Sequence, residues 1–194
     1  FSRHCVVATV SSRASFGAAQ SDRPAPTRTV NGMTAALDSI PLTMLDGRAT
    51  TFGEFAGDVV LVVNVASRCG FTPQYQQLEE LQKRYADRGF TVLGMPSNQF
   101  LQELSSEDKI AEYCSTTWGV TFPMTEKVKV NGGKRHPLYA ELVHAKDSVG
   151  LAGPVAWNFE KFLVLPNGEV HRFRSTTAPD DDAIVSLIEA NLPR

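Results

Sequence analysis

The chain has 194 residues, 42% of them apolar and 21% charged, with a net charge of −2. That length supports one domain with a sizeable core, the near-neutral charge argues against a nucleic-acid or acidic-membrane partner, and no apolar run is long enough to span a bilayer. The three cysteines, Cys5, Cys69 and Cys114, are too few for a secreted disulfide scaffold, form no CxxC pair or Cys/His cluster that would hold zinc, and suit an intracellular protein with reactive thiols.

Residues 1–32 differ from the rest. They carry Arg3, Arg13, Arg23 and Arg28, a single acid at Asp22, no lysine and many Ser and Ala. Neither strand nor helix periodicity is present, and we expect a disordered extension over about 1–35. The composition fits a mitochondrial or plastid transit peptide; the other reading is upstream sequence ahead of a start at Met33, with a cytoplasmic product. Cys5 lies in this segment and receives no role. The folded domain is then expected over 36–194.

Within it, Leu42-Thr43-Met44-Leu45, Asp46-Gly47 and Thr50-Thr51-Phe52 read as an entry hairpin with an Asp-Gly turn. A short turn of helix is expected over Phe52–Phe55. Val59–Val65 is almost wholly apolar and β-branched, as in a strand covered on both faces. Thr72 is read as the N-cap and Pro73 as the first residue of a helix whose Tyr75, Leu78, Leu81 and Tyr85 form one apolar face. Gly89 stops it, and Phe90–Met95 is a second buried strand joined by a right-handed parallel crossover.

Ser105 and Asp108 resemble a capping box for a helix with Ile110, Cys114 and Trp118 on one stripe. Lys127–Val130 reads as extended and Pro137–His144 as helical. Phe162–Leu165 and Val170–Arg174 flank Pro166-Asn167-Gly168 as an antiparallel hairpin. Asp180-Asp181-Asp182 opens a last helix that buries Ile184, Leu187 and Ile188. The order βαβ, helix, ββ, helix predicts a thioredoxin-like α/β fold: a central mixed sheet flanked by helices, with an N-terminal hairpin added.

Cys69 falls between the buried strand and the helix start, near free amide donors and the positive end of the helix dipole, a setting that favours a thiolate. Alone, the position fits a reactive thiol or a small buried apolar residue equally well.

Three blocks carry further information: Asn64-Val65-Ala66-Ser67-Arg68-Cys69-Gly70-Phe71-Thr72, Pro96-Ser97-Asn98-Gln99-Phe100, and Trp157-Asn158-Phe159-Glu160-Lys161-Phe162-Leu163-Val164. In this order they resemble the glutathione peroxidase family, from about Ile40 to about Leu192, and most nearly its cysteine-containing bacterial and fungal members. The resemblance implies a thiol peroxidase for hydrogen peroxide and organic or lipid hydroperoxides. Such members generally take electrons from thioredoxin rather than glutathione and need no bound cofactor or metal.

By the same resemblance Cys69 is the peroxidatic residue, oxidised to a sulfenic acid. Trp157 and Asn158 would aim the indole N–H and amide NH2 at the sulfur or the peroxide. The family's glutamine follows NQF in a loop that is one residue shorter here and lacks the usual Pro-Gly. Gln102 is the candidate and Gln99 the fallback, with Gln99 more often structural. Ser97 stands where many relatives have a cysteine. Cys114 matches the resolving cysteine of some two-cysteine members, and a core role on the Ile110 stripe is the alternative; strict disulfide geometry would require its helix to unwind. Arg68, Lys83, Arg84, Lys134 and Arg135 are the nearest basic residues for a reductant, or simply solvated charge. The short span Ala145–Ala156 lacks the insertion of tetrameric members, so a monomer is expected. The same residues would also serve a peroxide sensor or relay that passes oxidation to a partner protein; a non-catalytic binding role fits them poorly.

Overall fold

The computed structural model describes residues 32–193. Cys5 and the remainder of the arginine-bearing segment lie outside the described residues. Helix α1 spans Gly32–Asp38, so it covers the last residues of the stretch expected to be disordered through 35. The physical reason is burial: Leu37 and Ile40 are buried and pack into one of the two cores. The hairpin follows as predicted, with β1 (Pro41–Thr43) antiparallel to β2 (Ala49–Thr51). A 3-10 turn over Phe52–Phe55 leads into β3 (Val59–Val65).

The main sheet has the order β4-β3-β5-β6, with β4 at Phe90–Pro96, β5 at Lys161–Val164 and β6 at Val170–Phe173. β4 runs parallel to β3, while β5 runs antiparallel to both β3 and β6. Every residue of β3 is buried, because alternate side chains enter different cores. Val59, Leu61, Val63 and Val65 face Leu78, Leu81 and Tyr85 of α2 (Gln74–Tyr85), Ile110 of α3 (Glu107–Tyr113) and the last helix. Val60 and Val62 face the hairpin and Leu138, Tyr139 and Leu142 of α4 (Pro137–Leu142). The last helix, α5 (Asp182–Asn191), is capped by Asp181, whose carboxylate accepts the Ala183 N–H, and buries Ile184 and Ile188. Leu187, expected with them, is only partly buried against the same core. The predicted mixed sheet flanked by helices is the observed one.

Two helix starts differ from the reading of the sequence. α2 begins at Gln74 rather than Pro73, because the Thr72 hydroxyl is engaged elsewhere, as described below. α3 is preceded by Ser106, not Ser105, and no side chain caps it. It ends at Tyr113, and the next five residues, Cys114–Trp118, form a π turn. Gly119 closes that turn at φ +62°. The chain then crosses close over β4, where Gly94 N–H donates to Pro123 O and Gly94 O accepts from Thr125 N–H. A Cβ on Gly94 would stand 3.1 Å from side-chain atoms of both Met124 and Phe122, so a larger residue here would need those side chains to shift.

Candidate active site

The C-terminal end of β3 delivers the chain to a tight turn. Cys69 N–H donates to Thr72 Oγ1 at 2.9 Å, and that hydroxyl donates to Ala66 O at 3.0 Å. Thr72 therefore pins both ends of the Cys69 loop instead of capping α2. Cys69 itself is 7% exposed, and its Sγ accepts a hydrogen bond from Phe71 N–H at 3.4 Å. Cys69 and Cys114 are both free thiols within the same apolar core.

The Trp157-Asn158 turn is brought to this pole by Asn64, a lone amide in an otherwise apolar strand. Asn64 Nδ2 donates to Trp157 O at 3.0 Å, and Asn64 Oδ1 accepts Glu160 N–H at 3.0 Å. Phe159 N–H donates to Asn64 O and adopts φ +62° while fully buried. Behind the turn, Glu160 and Arg172 form a buried ion pair, with Arg174 adding a bond at 2.8 Å. Glu160 Oε2 accepts Ala156 N–H, and Arg172 donates to Gly153 O and Pro154 O. The ion network thus clamps the segment that leads into Trp157.

Asn158 is fully buried, and its Nδ2 donates to Gln102 Oε1 at 2.9 Å. One of the two N–H groups of the amide expected at the sulfur is thus taken by Gln102. Gln102 O in turn accepts Arg68 N–H at 2.9 Å, one residue before Cys69. Gln102 and Asn158 are therefore brought together, and the shortened loop is tied directly to the cysteine turn. Gln99, the fallback, has a structural part: its Oε1 accepts Val130 N–H and Asn131 N–H, and its Nε2 donates to Asn131 O. Trp157 stays 41% exposed, with its ring against Phe100 at a centroid separation of 5.1 Å.

The loop also contains Leu101 at φ +59°, a backbone region that ordinarily favours glycine. That left-handed conformation costs a leucine roughly 1–2 kcal/mol. Next to Gln102, Glu103 is buried, and its Oε1 accepts from Ser67 N–H, Ser67 Oγ and Leu104 N–H. Burial raises the Glu103 carboxyl above its usual range against those hydrogen bonds. Asn64, Glu103 and Glu160 were given no role of their own in the sequence reading, and Thr72 was read only as a helix cap. A buried polar residue inside an apolar run is the signal that would have found Asn64 and Glu160.

Cys114 is 2% exposed. Burial pushes its thiol up to about 11, partly opposed by the nearby Tyr75 hydroxyl, which makes no regular hydrogen bond of its own. Tyr75 stands edge-on to Phe159 and stacks with Trp118 and Phe122. It thereby joins the first turn of α2, the Trp-Asn turn and the π turn. Among the basic residues, Lys83 pairs with Glu79 and Arg84 with Glu189, each at 3.3 Å; Arg68 and Lys134 are exposed. No group of three His, Cys, Asp or Glu that could hold a metal occurs among the described residues. None of the described helices is long and apolar enough to cross a membrane.

Lys161 is buried beside this site, with Nζ donating to Phe159 O at 2.7 Å. Burial lowers its ammonium to about 7 from the ordinary 10.5, against the raising effect of Glu160. The unfolded chain then binds more protons than the folded one between pH 7 and 10.5, so this group makes stability rise with pH. Cys114 opposes it only above pH 9, its ordinary value. Urea denaturation between pH 7 and 9 is expected to show a Lys161 contribution of about 1 kcal/mol per pH unit, absent in Lys161→Met.

A thioredoxin-like fold carrying a pinned thiol at the end of its central strand, beside a braced Trp-Asn turn, defines a thiol-dependent oxidoreductase. The chain belongs to the glutathione peroxidase family, whose model, "Glutathione peroxidase", matches residues 38–143. It is 48% identical over 181 residues to the thioredoxin/glutathione peroxidase BtuE of Escherichia coli (strain K12), covering 81% of this chain and 99% of the relative. Over 136 residues it is 52% identical to the glutathione peroxidase-like peroxiredoxin HYR1 of Saccharomyces cerevisiae, covering 69% and 83%. The crystal structure of Trgpx in apo form superposes with a TM-score of 0.61 at 38% identity, over 81% of this chain and 99% of that one. The chain is a peroxidase-class enzyme of this family.

Proposed function

We propose that the chain reduces hydrogen peroxide and organic or lipid hydroperoxides through Cys69, resolves the product with Cys114, and is recycled by thioredoxin. The observation that carries the reading is the closure of Gln102 and Asn158 onto the Cys69 turn, through the bonds from Asn158 to Gln102 and from Arg68 to Gln102. The Cys69 thiolate attacks the terminal peroxide oxygen, the O–O bond breaks, and the remaining oxygen leaves as water or an alcohol after taking a proton. Neutral donors at Trp157, Asn158, Gln102 and Phe71 N–H are suited to stabilise the charge that moves from sulfur to the leaving oxygen. The unit is proposed to work as a monomer.

In the second step the Cys114 thiolate attacks the sulfur of the Cys69 sulfenic acid. Hydroxide leaves, takes up a proton as water, and a Cys69–Cys114 disulfide remains. A buried thiol raised to about 11 is protonated at neutral pH and does not compete for peroxide. Opening of the π turn at Cys114–Trp118 would expose it to water and return it towards an ordinary thiol. The name of the Escherichia coli relative, which pairs thioredoxin with glutathione peroxidase, supports the choice of reductant.

Coupled NADPH oxidation tests this reading, with thioredoxin and its reductase compared against glutathione and its reductase. Turnover with thioredoxin is expected; turnover with glutathione alone would make Cys114 structural. Cys114→Ser is expected to keep one rapid oxidation of Cys69, seen as a single burst, while thioredoxin-driven cycling falls at least about 100-fold. Normal cycling by that variant would remove Cys114 from the mechanism.

A further inference from the structure

We propose that Leu101 is a specificity-determining residue, the outer part of an apolar lip with Phe100 and Trp157 that holds the organic tail of a hydroperoxide. The inference rests on the peroxidase reading above and adds to it the substrate class selected.

Leu101 is 86% exposed, and it is held in a left-handed backbone conformation at φ +59° that ordinarily selects glycine. An exposed leucine in a strained turn gains nothing from the core. Backbone strain that persists beside a reaction centre points to a role there. The turn is fixed by Leu101 N–H to Asn98 O at 3.0 Å, so the side chain is presented from a defined position. The following residue is Gln102, joined to Asn158. The preceding one is Phe100, half-buried and packed on the exposed ring of Trp157.

The Phe100–Trp157 ring pair and the exposed Leu101 next to Phe100 in the chain flank Gln102 and Asn158, and they offer too small an apolar surface for a stable protein interface, which buries on the order of 1,200 Å² or more. They match a hydrocarbon chain, whose burial contributes by area. The peroxide head would sit at Cys69 and the tail would lie across the lip. Hydrogen peroxide, having no tail, would not use it.

The test compares kcat/KM for hydrogen peroxide, tert-butyl hydroperoxide and linoleic acid hydroperoxide in the wild type, Leu101→Asn and Leu101→Met. Asparagine tolerates the left-handed backbone but removes the apolar chain; methionine keeps an apolar chain. Leu101→Asn is expected to lower the ratio of linoleic acid hydroperoxide to hydrogen peroxide about tenfold. The loss should be smaller for tert-butyl hydroperoxide, the thioredoxin KM unchanged, and the thermal midpoint no lower. Leu101→Met should restore most of the ratio. An unchanged ratio overturns the assignment, as does a rise in thioredoxin KM with the ratio intact, which would turn the lip towards the reductant. A wild type that turns over none of the three peroxides brings down the peroxidase reading itself.

Discussion

Cys69→Ser is expected to lose peroxide turnover by at least about 10³-fold with every hydroperoxide and every reductant. The hydroxyl that replaces the thiol occupies nearly the same volume but offers no thiolate to attack a peroxide oxygen. The turn that holds it should survive, because Thr72 pins that turn through the backbone N–H of residue 69 and through Ala66 O, neither of which the substitution touches. Stability measured by urea denaturation should therefore change by less than about 1 kcal/mol. Substantial residual turnover in a well-folded Cys69→Ser protein would place the chemistry on another residue.

Glu160→Ala is expected to cost the largest stability of any single change considered, about 3–5 kcal/mol. The carboxylate is wholly buried against Arg172, also wholly buried, and it accepts from Arg174 and from Ala156 N–H. Removing it leaves the Arg172 charge without its counter-ion in a water-poor site, and it orphans a backbone donor just before Trp157. Activity should fall beyond the loss of folded protein, because the strand Lys161–Val164 would keep its pairing to β3 while the Trp157-Asn158 turn lost its clamp. A double substitution, Glu160→Leu with Arg172→Met, removes both charges together. It should recover most of the stability but not the activity. If Glu160→Ala unfolds at the wild-type urea concentration, the ion network does not carry the turn as described.

The parts of this fold that were legible in the sequence are those set by side-chain type over several residues. The β-branched run Val59–Val65 reads as a doubly covered strand and the spacing of Tyr75, Leu78, Leu81 and Tyr85 as one buried helical face, and both are observed. The three motif blocks then offered Cys69, Trp157 and Asn158 as candidates, with Gln102, in the loop that follows the second block, as the candidate glutamine and Gln99 the fallback; the structure brings Gln102 and Asn158 into contact.

The parts that were not legible depend on partners far along the chain. Thr72 reads as a helix cap until the Cys69 N–H and Ala66 O are found beside it. Asn64 reads as an interruption of a strand until its amide meets a turn 93 residues away. The π turn at Cys114–Trp118 has no residue signature; it lies where Trp118 and Phe122 stack on Tyr75, a residue far earlier in the chain. Leu101 is the plainest case: composition assigns a left-handed turn to glycine, and only the backbone shows that a leucine occupies it.

The central claim is that Cys69 is the atom that peroxide meets first and that Cys114 follows it. Mass spectrometry of the fully reduced protein after one equivalent of hydrogen peroxide tests this most directly, with peptide mapping of wild type and Cys114→Ser. The account predicts a Cys69–Cys114 disulfide in the wild type and a sulfenic acid confined to Cys69 in the variant. Oxidation that begins at Cys114, or leaves Cys69 reduced, would contradict it.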